Sequence, residues 1–214
     1  MALSGARGLF ITLEGPEGSG KTTAARNLAR WLRQQGREVV LTHEPGGTPL
    51  GEAIRELVLH QRGVSDDLDP RTDALLYAAS RAQHVARVIR PALDRGEWVV
   101  CARFLDSSLA YQGYGYGNDL EQLRLLQAFA TGGLMPDLTL LLDVPVEIGL
   151  GRKRRDTWNR FEDSEDTAFF EKVRNGYLAL AAAEPERYRV VDGAGDVATT
   201  DAAVREAIKP LLDG

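Results

Sequence analysis

Cysteine and histidine are scarce in this chain of 214 residues, and their scarcity excludes two kinds of stabilising site. The one cysteine, Cys101, has no second cysteine with which it could form an internal disulfide. The three histidines, His43, His60 and His84, are scattered, and their spacing does not match that of structural zinc ligands. The fold must therefore depend on an ordinary hydrophobic core, for which a hydrophobic content of 43% suffices.

Long apolar runs and an excess of positive charge are also missing. The longest apolar stretches, such as Trp98–Cys101 and Leu140–Leu142, are far shorter than the roughly 20 residues that a membrane-spanning helix needs. The net charge of -5 disfavours a general affinity for nucleic acid or anionic membranes. We therefore expect one cytoplasmic domain over residues 1–214, without a membrane or nucleic-acid partner, in which any phosphate chemistry is local.

Short apolar strands alternate with amphipathic helices along the chain, and no repeat or linker interrupts them. The strand candidates are almost continuously hydrophobic, which is typical of parallel strands covered by helices on both faces. The sequence therefore predicts an α/β fold in which helices flank a five-stranded parallel sheet. The predicted strands are Leu9–Glu14, Glu38–Thr42, Trp98–Cys101, Leu138–Asp143 and Tyr188–Asp192. The predicted helices are Lys21–Gln35, Leu50–Leu59, Arg71–Asp94, Leu120–Thr131, Val146–Arg154, Ala168–Glu184 and Asp201–Leu212.

A phosphate-binding loop follows the first predicted strand. Residues 15–22 satisfy G-x-x-x-x-G-K-[ST] and open a helix, which is the strand, loop and helix setting that the motif requires. Backbone N–H groups and the helix dipole favour phosphate there, and the lysine reaches the β and γ phosphates. The loop predicts a P-loop NTPase-type three-layer sandwich that binds ATP or a similar triphosphate with Mg²⁺; a chance glycine-rich turn is the alternative. The candidate nucleotide-binding residues are Gly15, Pro16, Glu17, Gly18, Ser19, Gly20, Lys21, Thr22 and Thr23, of which Thr22 is the candidate metal ligand.

A P-loop alone does not distinguish a GTPase, a motor, a switch and a small kinase. No asparagine is followed by lysine, which disfavours the guanine-reading segment of a GTPase. Tyr77 and Arg81 lie four residues apart on one predicted helix face, where they could stack on and hydrogen-bond a second substrate. The alternative is a core tyrosine beside a surface arginine. The polar segment 102–113 follows the third strand, where doubly wound sheets place their ligands.

An arginine-rich segment at about residues 149–163 is unusual in an acidic chain. Its candidate residues are Arg152, Arg154, Arg155 and Arg160. Arg152 and Arg155, three residues apart, could converge on one anion, and a closing lid could use them to neutralise a transferring phosphoryl group. A solvated helix face is the alternative.

Taken together, these segments resemble bacterial thymidylate kinases. The resemblance rests on the P-loop with Glu17, EPGGT at residues 44–48, SRAQ at 80–83, ARFLDSSLAYQG at 102–113 and GLGRKRRDTWNRFE at 149–162. EPGGT and SSLAYQG are more specific as a set than the P-loop is. The resemblance implies phosphoryl transfer from ATP to dTMP with Mg²⁺, giving ADP and dTDP, in a homodimeric cytosolic enzyme whose lid supplies the basic groups.

The resemblance also implies a role for each matching residue. Glu17 and Tyr111 would lie near the sugar of dTMP, and Arg55 and Arg103 near its phosphate. Tyr77 would stack on thymine, with polar groups at the edges of the base. The implied substrate-binding residues are Glu44, Arg55, Tyr77, Arg81, Arg103, Ser108, Tyr111 and Gln112, with Gln112 or Ser108 beside Arg81 at the base. The implied catalytic residues are Glu17, Lys21, Arg103, Arg152 and Arg155, and either Arg154 or Arg155 would face the phosphate.

One departure from the family pattern lies at the end of the third strand. The family usually has Asp-Arg there, whereas this chain has Ala102-Arg103. An acid at this place helps hold the hydration shell of Mg²⁺, so we expect a rate about ten- to a hundredfold lower, partly compensated by Glu17 or another carboxylate. Two alternatives stay open: a catalytically weakened P-loop nucleotide-binding protein, and a kinase for another nucleoside monophosphate.

Overall fold

A five-stranded sheet forms the centre of the computed structural model, which describes residues 7–61, 68–153 and 167–212. The strands are β1 (Phe10–Glu14), β2 (Val39–His43), β3 (Trp98–Ala102), β4 (Leu138–Asp143) and β5 (Tyr188–Asp192). All pairs are parallel and the spatial order is β2-β3-β1-β4-β5. The predicted α/β fold with five parallel strands is confirmed, and every predicted strand boundary is correct to within one residue.

Helices connect consecutive strands and cover the sheet. They are α1 (Lys21–Gln34), α2 (Pro49–Leu59), α3 (Pro70–His84), α4 (Arg90–Asp94), α5 (Leu105–Ser108), α6 (Leu120–Thr131), α7 (Val146–Lys153), α8 (Thr167–Ala183) and α9 (Val197–Ile208). Two π-helical segments, Val85–Ile89 and Leu109–Gly115, continue α3 into α4 and extend α5, and a 3₁₀ turn, Lys209–Leu211, follows α9. No helix within these described ranges is long and apolar enough to span a bilayer.

Two helix predictions need correction. The helix predicted from Asp201 begins four residues earlier, at Val197, because the Asp196 side chain accepts a hydrogen bond from the Thr199 backbone N–H at 2.8 Å and caps it. The helical segment over residues 105–115 was not predicted, because its serines and glycines are typical of loops. The helix predicted from Asp201 was also predicted to end at Leu212, whereas α9 ends at Ile208 and a 3₁₀ turn continues to Leu211. The other helix boundaries agree to within one residue, except that Arg154, the predicted end of the helix that corresponds to α7, lies outside the described residues.

Alternate residues of each central strand pack in two hydrophobic cores, one on each side of the sheet. One core joins Ile11, Leu13, Val100 and Ala102 to α1 and α9. The other joins Phe10, Val99, Cys101 and Leu141 to helices α2, α3, α4 and α8. This double burial explains why the strands are continuously apolar rather than alternating. It also means that a polar residue at a strand end, such as Glu14, must find its partners inside the protein.

The connections place the candidate residues at one edge of the sheet. The P-loop leaves β1 and enters α1, Arg103 follows β3, and the segment 193–196 follows β5. Parallel strands present their carboxyl ends at the same edge, where α/β sheets bind their ligands. The fold therefore gathers residues that are far apart in sequence around the P-loop.

Candidate active site

The P-loop is a tight turn between β1 and α1. Gly18 has a φ of 67°, and a Cβ atom there would lie 1.9 Å from the carbonyl oxygen of Gly149 in α7, so only glycine fits. Lys21 begins α1, and its Nζ donates to the carbonyl oxygens of Gly15 at 3.0 Å and Pro16 at 2.7 Å. The ammonium group is thus held inside the curve of the loop, at the helix N-terminus, where phosphate oxygens are favoured.

Beside the P-loop lies a cavity of about 300 Å³. Its walls are Gly18–Gly20 of the loop, Thr23 and Ala24 of α1, Arg152 of α7, and residues 193, 195–197, 200 and 201 in the turn after β5 and the start of α9. The cavity adjoins the site at which the P-loop would hold phosphates.

Arg152 forms one wall of this cavity. Its guanidinium donates to the carbonyl oxygens of Gly193 at 2.7 Å, Ala194 at 2.7 Å and Gly195 at 2.8 Å. The turn after β5 was not predicted as part of the site, although the sequence Asp-Gly-Ala-Gly-Asp directly after a strand was a usable signal. Arg154, Arg155 and Arg160, the other candidate lid residues, lie outside the described residues.

Arg103 lies on the opposite side of the P-loop, directly after β3. Its backbone has a φ of 69°, a left-handed conformation that is costly for a residue with a side chain. The guanidinium donates to Glu17 Oε1 at 2.5 Å and to the hydroxyl oxygens of Tyr111 at 3.3 Å and Tyr177 at 3.2 Å. Tyr111 also donates to Glu17, at 3.0 Å. The structure thus brings three predicted site residues, Glu17, Arg103 and Tyr111, into one cluster at the P-loop.

Glu14, the last residue of β1, contacts this cluster and was not predicted from the sequence as a site residue. Its carboxylate accepts hydrogen bonds from the Phe104 backbone N–H at 2.6 Å, the Ser107 hydroxyl at 2.6 Å and the Tyr177 hydroxyl at 3.1 Å. Burial, and next the negative charge of Asp106, raise the pKa of Glu14 to about 7 even though its hydrogen bonds and Arg103 act in the other direction. The signal in the sequence was an acid that ends an otherwise apolar strand directly before Gly15.

A second buried cluster surrounds Arg81. Its guanidinium donates to Glu44 Oε2 at 2.7 Å, Ser108 Oγ at 2.9 Å, the Phe104 carbonyl oxygen at 3.0 Å, and Gln127 Oε1. Only 1% of Arg81 is exposed, so this arginine belongs to the interior rather than to the surface. Because a buried charge that loses its partner is strongly destabilising, Glu44 is needed to keep Arg81 in place.

His84 holds Glu44 from the other side. Its Nδ1 lies 2.9 Å from Glu44 Oε1 and its Nε2 lies 2.7 Å from the Thr42 hydroxyl. Gly47, with a φ of 75°, passes so close that a Cβ atom would lie 2.5 Å from His84 Nε2. The EPGGT segment therefore uses its acid and a glycine to pack against His84, and this packing orients Arg81.

Further predicted substrate residues lie on α2, α3 and the π-helical segment 109–115. Arg55 is half-buried on α2 and donates to the Pro45 carbonyl oxygen at 3.1 Å. Tyr77 is half-buried on α3, one turn before Arg81. Gln112 is buried and donates to Asp73 Oδ2 at 2.8 Å. Arg81, Tyr77, Ser108 and Gln112 thus lie along the contact between α3 and the segment that follows β3.

Ala102 occupies the strand end where the family usually has an acid. It is buried, aligned with Leu13 of β1 and His43 of β2, and packs in the core on the α1 side of the sheet. Glu14 makes its contacts on the other side of the sheet, and Glu17 is paired with Arg103. Both carboxylates therefore have other partners in this structure, and compensation by one of them stays a prediction.

Comparison with known proteins shows the family to which this chain is similar. The thymidylate kinase family model matches residues 13–204. A thymidylate kinase of Pseudomonas fluorescens is 52% identical over 207 residues, covering 96% of this chain and 97% of the relative. One from Pseudomonas syringae pv. tomato is 54% identical over 209 residues, with coverage of 96% and 97%.

A solved structure supports the same assignment. The crystal structure of thymidylate kinase from Ehrlichia chaffeensis superposes with a TM-score of 0.77 and 33% sequence identity, and the match covers 96% of this chain and 99% of that one. The family model, the two relatives and the shared fold agree with the P-loop, EPGGT and SSLAYQG segments gathered around one site. This chain belongs to the thymidylate kinase family.

Proposed function

We propose that this protein transfers the γ-phosphoryl group of ATP to dTMP, giving ADP and dTDP. The observation that supports the proposal is the ion pair between Glu17 of the P-loop and Arg103. It places a second, cationic site directly beside the phosphate-donor site. An enzyme that joins two phosphates needs such adjacent sites, since most of its catalysis is positioning and charge stabilisation.

The donor side would bind ATP between the P-loop and the turn after β5. Loop N–H groups, the N-terminus of α1 and Lys21 receive the phosphates, and the Arg152 cavity receives the nucleoside. Lys21 now donates to loop carbonyls, and it exchanges these partners for phosphate oxygens when ATP binds. Charge-assisted bonds to phosphate are stronger than those to neutral carbonyls, so the exchange is favourable.

The acceptor side would bind dTMP along α3. Arg55 and Arg103 receive the 5′-phosphate, Tyr77 stacks on the base, and Tyr111 packs against the sugar. Arg81, held by Glu44, offers an N–H group to the pyrimidine, and Ser108 and Gln112 lie beside the same base. An oxygen of the dTMP phosphate attacks the γ-phosphorus of ATP, the bond to the β–γ bridging oxygen breaks, and ADP leaves. The attacking phosphate is largely dianionic at neutral pH, so no general base is needed.

The proposed reaction also requires Mg²⁺, for which Thr22 is the proposed protein ligand. Thr22 is exposed in the first turn of α1, directly after Lys21. Mg²⁺ keeps several waters and takes one or two protein oxygens together with substrate phosphates, so a single hydroxyl fits its usual donor set. The ion supplies charge neutralisation on the β and γ phosphates. Arg152, Arg154, Arg155 and Arg160 would add positive charge as the lid closes.

A homodimer in the cytoplasm, where both nucleotides are available, completes the proposal. Its support is three exposed apolar side chains, Leu75 of α3 and Leu125 and Phe129 of α6, on two helices that pack side by side. Phe129 is 88% exposed, which is unusual for a large apolar side chain unless a partner covers it. A twofold pair through this surface would bury the same residues on both copies.

The first experiment is to measure ADP release from MgATP with dTMP, dUMP, dCMP, AMP or GMP as the acceptor. We expect dTMP to be strongly preferred. Background rates with all five acceptors, together with measurable dTMP binding, would overturn the kinase proposal and favour the nucleotide-binding alternative. A preference for dCMP, AMP or GMP would instead indicate a kinase for another nucleoside monophosphate.

A further inference from the structure

The contact between Asp73 and Gln112 joins the beginning of α3 to the segment after β3. Asp73 is 1% exposed and Gln112 is 2% exposed, and Gln112 Nε2 donates to Asp73 Oδ2 at 2.8 Å. Two buried polar side chains so far apart in sequence need a reason for their burial, because each loses its hydration on folding. Asp73 is not among the residues that the family resemblance assigns to substrate binding.

The contact lies at one end of the boundary between α3 and the segment that follows β3, where the proposed dTMP groove would lie, and a second, similar contact lies at the other end of that boundary. Asp73, Tyr77 and Arg81 follow one another at four-residue intervals and share a face of α3. Ser108 and Gln112 are likewise four residues apart on the opposite segment. Arg81 donates to Ser108 at 2.9 Å, and Gln112 donates to Asp73, so Tyr77 lies between the two contacts.

The backbone of Gln112 is also fixed. Its carbonyl oxygen accepts from the Asn118 backbone N–H at 3.1 Å and from Asn118 Nδ2 at 2.8 Å, and Asn118 Nδ2 also donates to the Pro70 carbonyl oxygen at 3.3 Å. The position of the residue relative to α3 is therefore set. The backbone contacts do not determine the orientation of the side-chain amide, which could turn either its oxygen or its NH₂ group toward α3.

Asp73 decides that choice. A carboxylate only accepts hydrogen bonds, whereas a glutamine amide has one accepting and one donating end. Gln112 must therefore turn its NH₂ group to Asp73. Among the residues that the structure describes, none donates to Gln112 Oε1, so the accepting end of the amide is left for a ligand in the groove.

We propose that Asp73 makes the pyrimidine groove selective for a keto pyrimidine by holding the Gln112 oxygen toward the substrate. The proposal rests on the proposed binding of dTMP in this groove. Thymine and uracil carry an N3–H donor that can bond to Gln112 Oε1 and a C4 oxygen that can accept from Arg81. Cytosine has an unprotonated N3 acceptor, which would face the accepting Gln112 Oε1. Its C4 amino donor would face the donating Arg81, so neither pair could form a hydrogen bond. Leaving such polar groups unpaired in a buried site is the most effective way to reject an analogue.

The test is Asp73→Asn, which keeps the shape of the side chain but allows either end to face Gln112. When the new side-chain amide donates, the Gln112 amide can reverse and present its NH₂ group to the groove. We expect the ratio of kcat/KM for dTMP to that for dCMP to fall about tenfold or more, mainly through KM. The ratio for dTMP to dUMP should stay within about twofold, because both bases present the same hydrogen-bonding edge.

Two controls separate a positioning role from a structural one. Asp69→Asn makes the same chemical change one turn earlier on α3, at the exposed helix cap where asparagine is equally suitable, and should leave both ratios unchanged. In a Gln112→Ala background, Asp73→Asn should no longer alter the ratio of dTMP to dCMP. An equal loss for all three substrates, or an effect of Asp73→Asn that persists without Gln112, would overturn the proposal. If the parent protein itself did not prefer dTMP, the proposed function would fail instead.

A measurement on the parent protein avoids any loss of folding in the variant. The side-chain amide of Gln112 can be assigned in ¹⁵N-glutamine-labelled protein by its absence in Gln112→Ala. We expect its NH₂ hydrogens to exchange slowly with solvent both before and after dTMP is added, because Asp73 holds them in both states. Fast exchange without ligand, or protection that appears only with dTMP, would show that the NH₂ group faces the groove and would overturn the proposal.

Discussion

Glu14 couples the central strand to the phosphate site through three donors. Phe104 and Ser107 belong to the segment after β3, and Tyr177 belongs to α8. Ser107 and Tyr177 also receive hydrogen bonds from Arg103, so one buried carboxyl group anchors the residues around the proposed phosphate ligand. The charged and titratable groups near it are Asp106, Arg103, Tyr177, Cys101 and Tyr188.

The raised pKa of Glu14 predicts a pH-dependent contribution to stability. Folding raises the pKa from 4.5 to about 7, so between these values the folded protein holds a proton that the unfolded chain releases. The resulting stabilisation is complete below pH 4.5 and is lost as the pH rises to about 7. Relative to Glu14→Gln, the free energy of unfolding of the parent should therefore fall by about 3 kcal/mol across this window. Urea denaturation of both proteins at several pH values from mildly acidic to mildly alkaline measures the difference, and parallel curves would contradict it.

Ala102 permits a direct test of what the missing acid costs. We expect Ala102→Asp to raise kcat about tenfold and to lower the Mg²⁺ concentration needed for half-maximal rate, because a carboxylate at this strand end can orient the hydration shell of the ion. It should also lower the melting temperature, since the position is buried beside Leu13. Ala102→Asn is the uncharged control and should lower stability without the gain in rate. Unchanged kcat and Mg²⁺ dependence in Ala102→Asp would show that this position does not limit the enzyme.

At the scale of elements, α8 contributes to the site through a single hydroxyl group. Tyr177 is fully buried, donates to Glu14, accepts from Arg103, and has its hydroxyl oxygen 2.7 Å from that of Ser107. Burial raises the pKa of Tyr177 well above its ordinary value, so the neutral hydroxyl is available as a donor. The helix thereby contacts the side chain of Arg103 although the two residues are 74 positions apart in the chain.

Tyr177→Phe removes this hydroxyl and keeps the ring. We expect KM for dTMP to rise about threefold to tenfold while KM for ATP changes less, because Arg103 loses an acceptor that positions it, and such a bond contributes about 1 kcal/mol. The matched control is Tyr114→Phe, since the Tyr114 ring also packs on α8, at Gly176, without contacting Arg103. Steady-state kinetics with each substrate varied in turn measure the effect. Equal changes in both KM values would contradict a specific role at the acceptor site.

The elements differ in how well the sequence predicts them. All five strands follow from apolar runs, because a strand buried on both faces carries the same signal along its whole length. The P-loop follows from a local motif, and Tyr77 and Arg81 from helical spacing. The contacts of Glu14 with Tyr177 and of Gln112 with Asp73 could not be predicted, because they join residues that only the packing of different elements brings together. The helical segment 105–115 was missed because its composition is that of a loop.

At the scale of the whole molecule, α3 has two different faces. One carries Asp73, Tyr77 and Arg81 toward the proposed dTMP groove. Leu75 lies on the other side and is 57% exposed, and α6, which packs against α3, exposes Leu125 and Phe129. A partner that covers this apolar surface would therefore brace the helix that forms the acceptor site, without touching the P-loop.

This arrangement predicts that association and dTMP binding are linked. We expect sedimentation of the parent to give twice the chain mass of 23.4 kDa, and the double variant Leu125→Asp/Phe129→Asp to sediment as a monomer. In the monomer, KM for dTMP should rise about threefold or more while KM for ATP stays nearly constant, because only the acceptor groove lies on α3. Val190→Asp, which places the same charge at an exposed apolar position of β5, should alter neither mass nor kinetics. A parent that sediments as a monomer would remove the dimer, and a monomeric variant with an unchanged KM for dTMP would show that the two faces of α3 act independently.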